Sequence, residues 1–127
     1  MTDPVFLLDS NICIYVLADA DGVPARKVQS HEVGTVVTSA IVFAEVMRGI
    51  PASEAHARER AGRFFERVPP VDFDADAALA YAQIPFKRGR FDRLIAAHAL
   101  SLGLTLVTNN EADFADIPGL QCENWTR

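Results

Sequence analysis

The sequence predicts an α/β fold with a mainly parallel central sheet. Three observations predict it. Runs at residues 5–8, 35–38 and 105–108 are apolar or β-branched, the pattern of short strands buried on both faces. Stretches with helix capping and stop signals lie between them, the alternation that builds a parallel sheet. Each run also ends in small polar residues: Asp9-Ser10-Asn11, Thr38-Ser39 and Thr108-Asn109-Asn110. In open α/β sheets, sites form beyond the carboxyl ends of the strands, so function is sought first at these three places.

The elements follow in order. The first strand stops abruptly at Asp9, and Ser10 or Asn11 is the expected cap of a helix through Ile12, Tyr15 and Val16. Asp21-Gly22-Val23-Pro24 reads as a break, followed by a short helix over residues 25–30. The second strand leads to Ser39, the expected cap of a helix over residues 40–48 that Gly49 and Pro51 stop. The longest helix is expected over residues 53–68, carrying acid-before-base pairs Glu54/Arg58 and Glu59/Arg63 at the favourable spacing of four. Pro69-Pro70 ends it, and residues 71–73 read as an edge strand or extended link. Asp74 caps an alanine-rich helix to about Gln83, and a loop over residues 85–90 precedes a helix over residues 91–102, stopped by Gly103. The strand at 105–108 and a last short one within residues 121–124 complete the sheet.

The chain has 127 residues, half of them hydrophobic. Surface scaling gives about 6,700 Å² exposed when folded against about 20,000 Å² unfolded. That burial suffices for a single domain over residues 1–127 with no disulfide or metal staple. The net charge is -5, from 12 basic and 17 acidic side chains. Spread uniformly, that charge disfavours nucleic acid and anionic membranes and favours a small-molecule enzyme or a protein-binding module. The longest apolar run, residues 12–18, is far short of the about 20 residues that span a bilayer. The opening residues have no basic segment and are not read as a secretory signal. Cys13 and Cys122 have no paired spacing, so the expected location is a reducing cytoplasm.

Four acids stand out. Asp9 follows the first strand, where it is either a helix cap or a site acid. Glu45 shares an apolar helix face with Ile41, and a buried carboxylate needs a partner or a metal; Arg48 is the alternative partner. Asp92 opens a helix, where a capping role competes, and Asp113 lies in a loop after the strand ending at Thr108. Together they are more informative than singly. One pair of carboxylates at 4 Å repels by about 4 kcal/mol at an effective dielectric of 20, so four converging acids are tolerable if a divalent cation occupies the cluster. Oxygen-only ligands select Mg²⁺ or Mn²⁺ over zinc, and a hard cation suits phosphoryl chemistry.

The sequence resembles PIN-domain ribonucleases in an ordered set of segments. They are Leu8-Asp9-Ser10-Asn11; Ser39 through Ala44-Glu45 to Arg48-Gly49; Phe91-Asp92 with Ile95 to Ala99; and Thr108-Asn109-Asn110 with Asp113-Phe114. The close, Ile117 to Leu120 and Glu123-Asn124-Trp125, is similar to the VapC toxins of bacterial toxin–antitoxin pairs. The resemblance implies a PIN-like α/β/α sandwich and a Mg²⁺-dependent endoribonuclease acting on transfer or ribosomal RNA, with products carrying a 5′-phosphate and a 3′-hydroxyl. It implies Asp9, Glu45, Asp92 and Asp113 as the catalytic and metal-holding acids. It also implies a homodimer, hetero-oligomers with a VapB-type antitoxin that inhibits it, and contact with DNA only through that antitoxin. Two departures stand beside it. The segment before Asp92 is shorter than the usual connection, and Asn110 stands where many relatives carry an acid, which leaves Asn110 or Asp113 for the fourth role.

Ser10, Asn11, Thr108, Asn109, Asn110 and Arg93 are expected to orient carboxylates or bind substrate phosphate. Lys87, Arg88, Arg90 and Arg93 crowd Asp92 and are either solvated charge or phosphate ligands. Arg60, Arg63 and Arg67 read as a solvated helix face. His98 sits about 240° around the helix from Asp92 and reads as structural. Asp72, Asp74 and Asp76 imitate a calcium loop, but Ala77 and Gln83 occupy the positions that need Gly and Glu. Two other classes remain open: a receiver-type phosphoacceptor domain, which would want a lysine after a late strand, and a catalytically inactive PIN-fold binding module.

Overall fold

The computed structural model describes residues 2–88 and 91–127. Phe6–Leu8 form strand β1, Val36–Ser39 β2, Pro70–Val71 β3, Thr105–Val107 β4 and Cys122–Glu123 β5. The helices are α1 (Ser10–Ala18), α2 (Val23–Gln29), α3 (Ala40–Arg48), α4 (Ala55–Arg67), α5 (Ala75–Gln83) and α6 (Phe91–Leu102). A 3₁₀ turn, Glu111–Phe114, follows β4. The strands form one sheet in the order β3-β2-β1-β4-β5, and every described pairing is parallel.

Burial explains the apolar strands. Leu7, Leu8, Val36, Leu106 and Val107 have no exposed surface because helices cover both sheet faces. Ile12 and Cys13 of α1, Val42 of α3, Phe65 of α4, and Ile95, Ala96, Ala97 and Ala99 of α6 close the core around them. The total exposed surface is 7214 Å², near the value expected from chain length. Among the described residues, no helix is long and apolar enough to cross a membrane.

The sheet order and register position the site. The chain moves from β1 outward to β2 and β3, then returns past β1 to β4 and β5. The reversal leaves a crevice at the carboxyl ends of β1 and β4, where open α/β sheets bind ligands. Leu8 is level with Thr38 on one side and Val107 on the other. The residues that follow, Asp9, Ser39 and Thr108, therefore stand side by side at that edge. The backbone N–H of Asp9 donates to Val107 O at 3.0 Å, and the Thr38 hydroxyl donates to Leu8 O at 2.7 Å.

Four local expectations are corrected. The cap of α1 is Asp9, whose Oδ1 accepts from the Ile12 N–H at 3.0 Å, because the chain leaves β1 directly into the helix. Helix α2 starts at Val23 with Pro24 in its first turn, where a missing N–H costs no helical bond. Helix α4 starts at Ala55, without a side-chain cap, after a turn in which Glu54 N–H donates to Pro51 O at 3.0 Å. Arg67 is not solvated: it donates to Val28 O at 3.0 Å and His31 O at 2.6 Å, tying α4 to the end of α2. Two expectations agree in detail. The Ser39 hydroxyl caps α3 by accepting from Ile41 N–H at 3.1 Å. Gly103 ends α6 at φ +71° while Leu104 N–H reaches back to Ala99 O at 2.9 Å, a bond pattern that needs a left-handed residue.

Candidate active site

The crevice beyond β1 and β4 holds a depression of about 330 Å³. Asp9, Glu45, Asp92 and Asp113 all line it, together with Ser10, Asn11, Thr108, Asn109 and Asn110. Phe91, Ile95 and Phe114 supply apolar walls. Acids more than 100 residues apart in sequence thus meet at the sheet edge that the polar strand ends mark.

Asp9 is the most buried of the four, at 6% exposure. Burial pushes its carboxyl above the ordinary aspartate value, and the charges of Asp92 and Glu45 push it further; bonds from the Thr108 hydroxyl and the Ile12 N–H oppose the shift. Its cap role and its site role therefore coexist: one oxygen closes the helix, and the carboxylate still faces two other acids. Glu45 is half-buried on α3 and accepts from Ser10 Oγ at 2.7 Å, so its partner is Ser10 and not Arg48. Asp92 lies in the first turn of α6. Asp113 sits in the 3₁₀ turn, and its Oδ2 accepts from Asn110 Nδ2 at 2.7 Å. Asn110 and Asp113 thus occupy the same wall as a bonded pair.

The amides form a second layer. Asn11 Nδ2 donates to Asn109 Oδ1 at 3.4 Å, and Asn109 Nδ2 donates to Tyr15 Oη at 3.1 Å. Asn110 N–H donates to Thr108 Oγ1 at 3.2 Å. Sequence reasoning missed Tyr15, because a tyrosine on a short, largely apolar helix carries no signal of a partner 94 residues away.

The polar side chains that line the depression carry carboxylate, amide and hydroxyl oxygens, a set that a hard divalent cation takes. Burial first, and the neighbouring charges of Asp92 and Glu45 after it, raise the Asp9 pKa, and a divalent cation would offset both penalties. Among the described residues, no three His, Cys, Asp or Glu side chains stand close enough together to hold a metal ion as they are placed. Glu45 accepts from Ser10, Asp113 from Asn110, and Asp9 from Ile12 and Thr108.

Other expectations resolve differently. Arg93 lies outside the depression; its guanidinium is 1% exposed and pairs with Asp116 Oδ1 at 2.8 Å. It is not a phosphate ligand, since burial removes it from substrate. Lys87 and Arg88 are exposed, and Arg90 lies outside the described residues. His98 is fully buried, pairs through Nδ1 with Ser39 Oγ at 2.9 Å and packs against Phe73; burial lowers its pKa. The lysine a receiver domain needs has no counterpart here: Lys27 is on α2 and Lys87 precedes α6.

Comparison with known proteins agrees with this geometry. The family description "PIN domain" matches residues 6–120. The chain is 32% identical to the tRNA(fMet)-specific endonuclease VapC of Shigella flexneri over 95% of this chain and 98% of that one. It is 31% identical to Ribonuclease VapC2 of Rickettsia felis over 97% and 99%. In structure it is similar to VapBC2 from Rickettsia felis bound to a promoter DNA fragment, with a TM-score of 0.85 and 28% identity over 95% of this chain and 98% of that one. It is equally similar to DNA-bound VapBC from Salmonella typhimurium, with a TM-score of 0.85 and 28% identity over 96% and 98%.

Proposed function

The chain belongs to the PIN-domain family, and from that premise we propose that it is a metal-dependent endoribonuclease, the toxin of a VapBC-type pair. The observation that carries the proposal is the meeting of Asp9, Glu45, Asp92 and Asp113 in one depression at the carboxyl edge of the sheet. Residues 1–127 act as one catalytic domain in this reading.

Asp9, Asp92 and Asp113 would hold Mg²⁺, or Mn²⁺ in its place, and Glu45 would complete the set. When bound, the cation neutralises charge on the scissile phosphate and acidifies a water. Ser10 donates to Glu45 Oε1, which orients the carboxylate and leaves Oε2 to take the proton of the attacking water. Asn11, Asn109 and Asn110 present amide donors to the non-bridging phosphate oxygens. Water adds to phosphorus and the P–O3′ bond breaks. The leaving O3′ takes a proton from solvent water, giving a 3′-hydroxyl and a 5′-phosphate, and Glu45 returns its proton to solvent.

The substrate is a structured RNA of the transfer or ribosomal class, as the name of the Shigella relative supports for transfer RNA. The partners are a second copy of the chain and a VapB-type antitoxin in the cytoplasm, with DNA reached only through the antitoxin; the VapBC complexes among similar structures support this. The test is incubation of purified protein with total transfer RNA and Mg²⁺, followed by end mapping. Metal-dependent cuts with 5′-phosphate ends are expected. An unchanged RNA pool would favour the inactive binding module.

A further inference from the structure

We propose that Arg93 is a positioning residue that locks the Asp113 turn onto the start of α6 and so sets where Asp113 stands relative to Asp92. The inference rests on the reading of the depression as a carboxylate metal site and adds a residue outside it. Arg93 follows Asp92 directly in the first turn of α6, and its guanidinium is 1% exposed. Nη2 donates to Asp113 O at 2.8 Å and to Asp116 Oδ1 at 2.8 Å. Nη1 donates to Asp116 Oδ2 at 3.2 Å and to Pro85 O at 3.3 Å. One planar fork therefore joins three segments: the helix that carries Asp92, the turn that carries Asp113, and the connection before α6.

The contact is directional. Phe114 and Ile117 also bury in the core, but apolar contacts fix depth more than orientation. A bidentate arginine–carboxylate pair fixes both, and a 3₁₀ turn of four residues has weak internal bonds of its own. The bond to the Asp113 carbonyl grips the backbone of the very residue whose carboxylate faces the depression. Lysine, a point charge, does not reproduce a fork with four acceptors.

The test compares Asp116→Asn and Arg93→Lys with Val28→Ala, a core change on α2 distant from the fork. Melting curves, hydrogen exchange at residues 111–117, Mn²⁺ binding by calorimetry and RNA cleavage are measured on the full chain. Both fork variants are expected to melt cooperatively, to exchange faster at 111–117 and to bind Mn²⁺ about tenfold more weakly. Their kcat falls by about tenfold while KM for RNA stays within about twofold. Val28→Ala is expected to lose melting temperature and nothing else. Wild-type exchange and Mn²⁺ affinity in Asp116→Asn, or equal losses in Val28→Ala, would overturn the proposal. If the wild-type chain binds no Mn²⁺, the metal reading of the site falls, and the exchange comparison alone decides the role of the fork.

Discussion

Asp9 carries two demands at once. It caps α1 and it holds a charge beside Asp92 and Glu45. Because its folded pKa is raised, the folded chain binds the proton more tightly than the unfolded chain. Its contribution to stability is complete below the unfolded value of 3.8 and is lost as pH rises through the folded value. In chelator, Asp9→Asn should therefore melt above wild type at about pH 7, with the two curves converging as pH falls toward about 4. Asparagine retains the capping oxygen, so loss of the cap does not mask the gain. A melting temperature below wild type at neutral pH would show that burial and the neighbouring charges do not penalise the carboxylate. Ser10→Ala should lower kcat more than it raises KM, since it frees Glu45 without touching substrate-binding amides; it costs about 1 kcal/mol of stability. At this scale the sequence exposed the acids but not their partners. Glu45 with Ser10 and Arg93 with Asp116 are separated by 35 and 23 residues, and no local pattern marks such pairs.

Among elements, the junction of β2 and α3 with α6 is the most telling. Ser39 caps α3 and meets His98 of α6 through the same hydroxyl. Ser39→Ala should cost about 2 kcal/mol, from the lost cap and a buried imidazole left without its partner, measured by urea unfolding. His98 also gives the element a pH dependence. Its folded pKa is lowered by burial, so the stability of the neutral ring is complete above the unfolded value of 6.5 and is lost as pH falls below it. Wild-type stability should decline from about pH 7 to about pH 5 by more than that of His98→Gln, whose amide does not titrate there. Equal slopes would remove His98 as the cause. The strands and helices were legible because their apolar periods and caps are local. The 3₁₀ turn at 111–114 read as a loop, since four polar-rich residues carry no period. The start of α2 was hidden by Pro24, which looks like a breaker and is a first-turn residue.

For the whole molecule, the charge of -5 takes on a different meaning. A uniform acidic coat would disfavour RNA, yet four of the acids line one depression. In the proposed function, a bound divalent cation would cancel part of that charge where the phosphate must approach. Mn²⁺ should accordingly raise the melting temperature of the wild-type chain, by an amount that grows with concentration, and Asp92→Asn should respond less. A melting temperature indifferent to Mn²⁺ in both would separate the acids from any metal. Sheet order, register and crevice follow from topology, and the polar strand ends pointed to the same edge. The most direct measurement is cleavage of total transfer RNA by wild type and Asp9→Asn, each with Mg²⁺ and with chelator. Metal-dependent cuts with 5′-phosphate ends from wild type, and none from Asp9→Asn, are the predicted result. Cleavage that persists in chelator, or at the wild-type rate in Asp9→Asn, would contradict a carboxylate-held metal as the centre of this protein's chemistry.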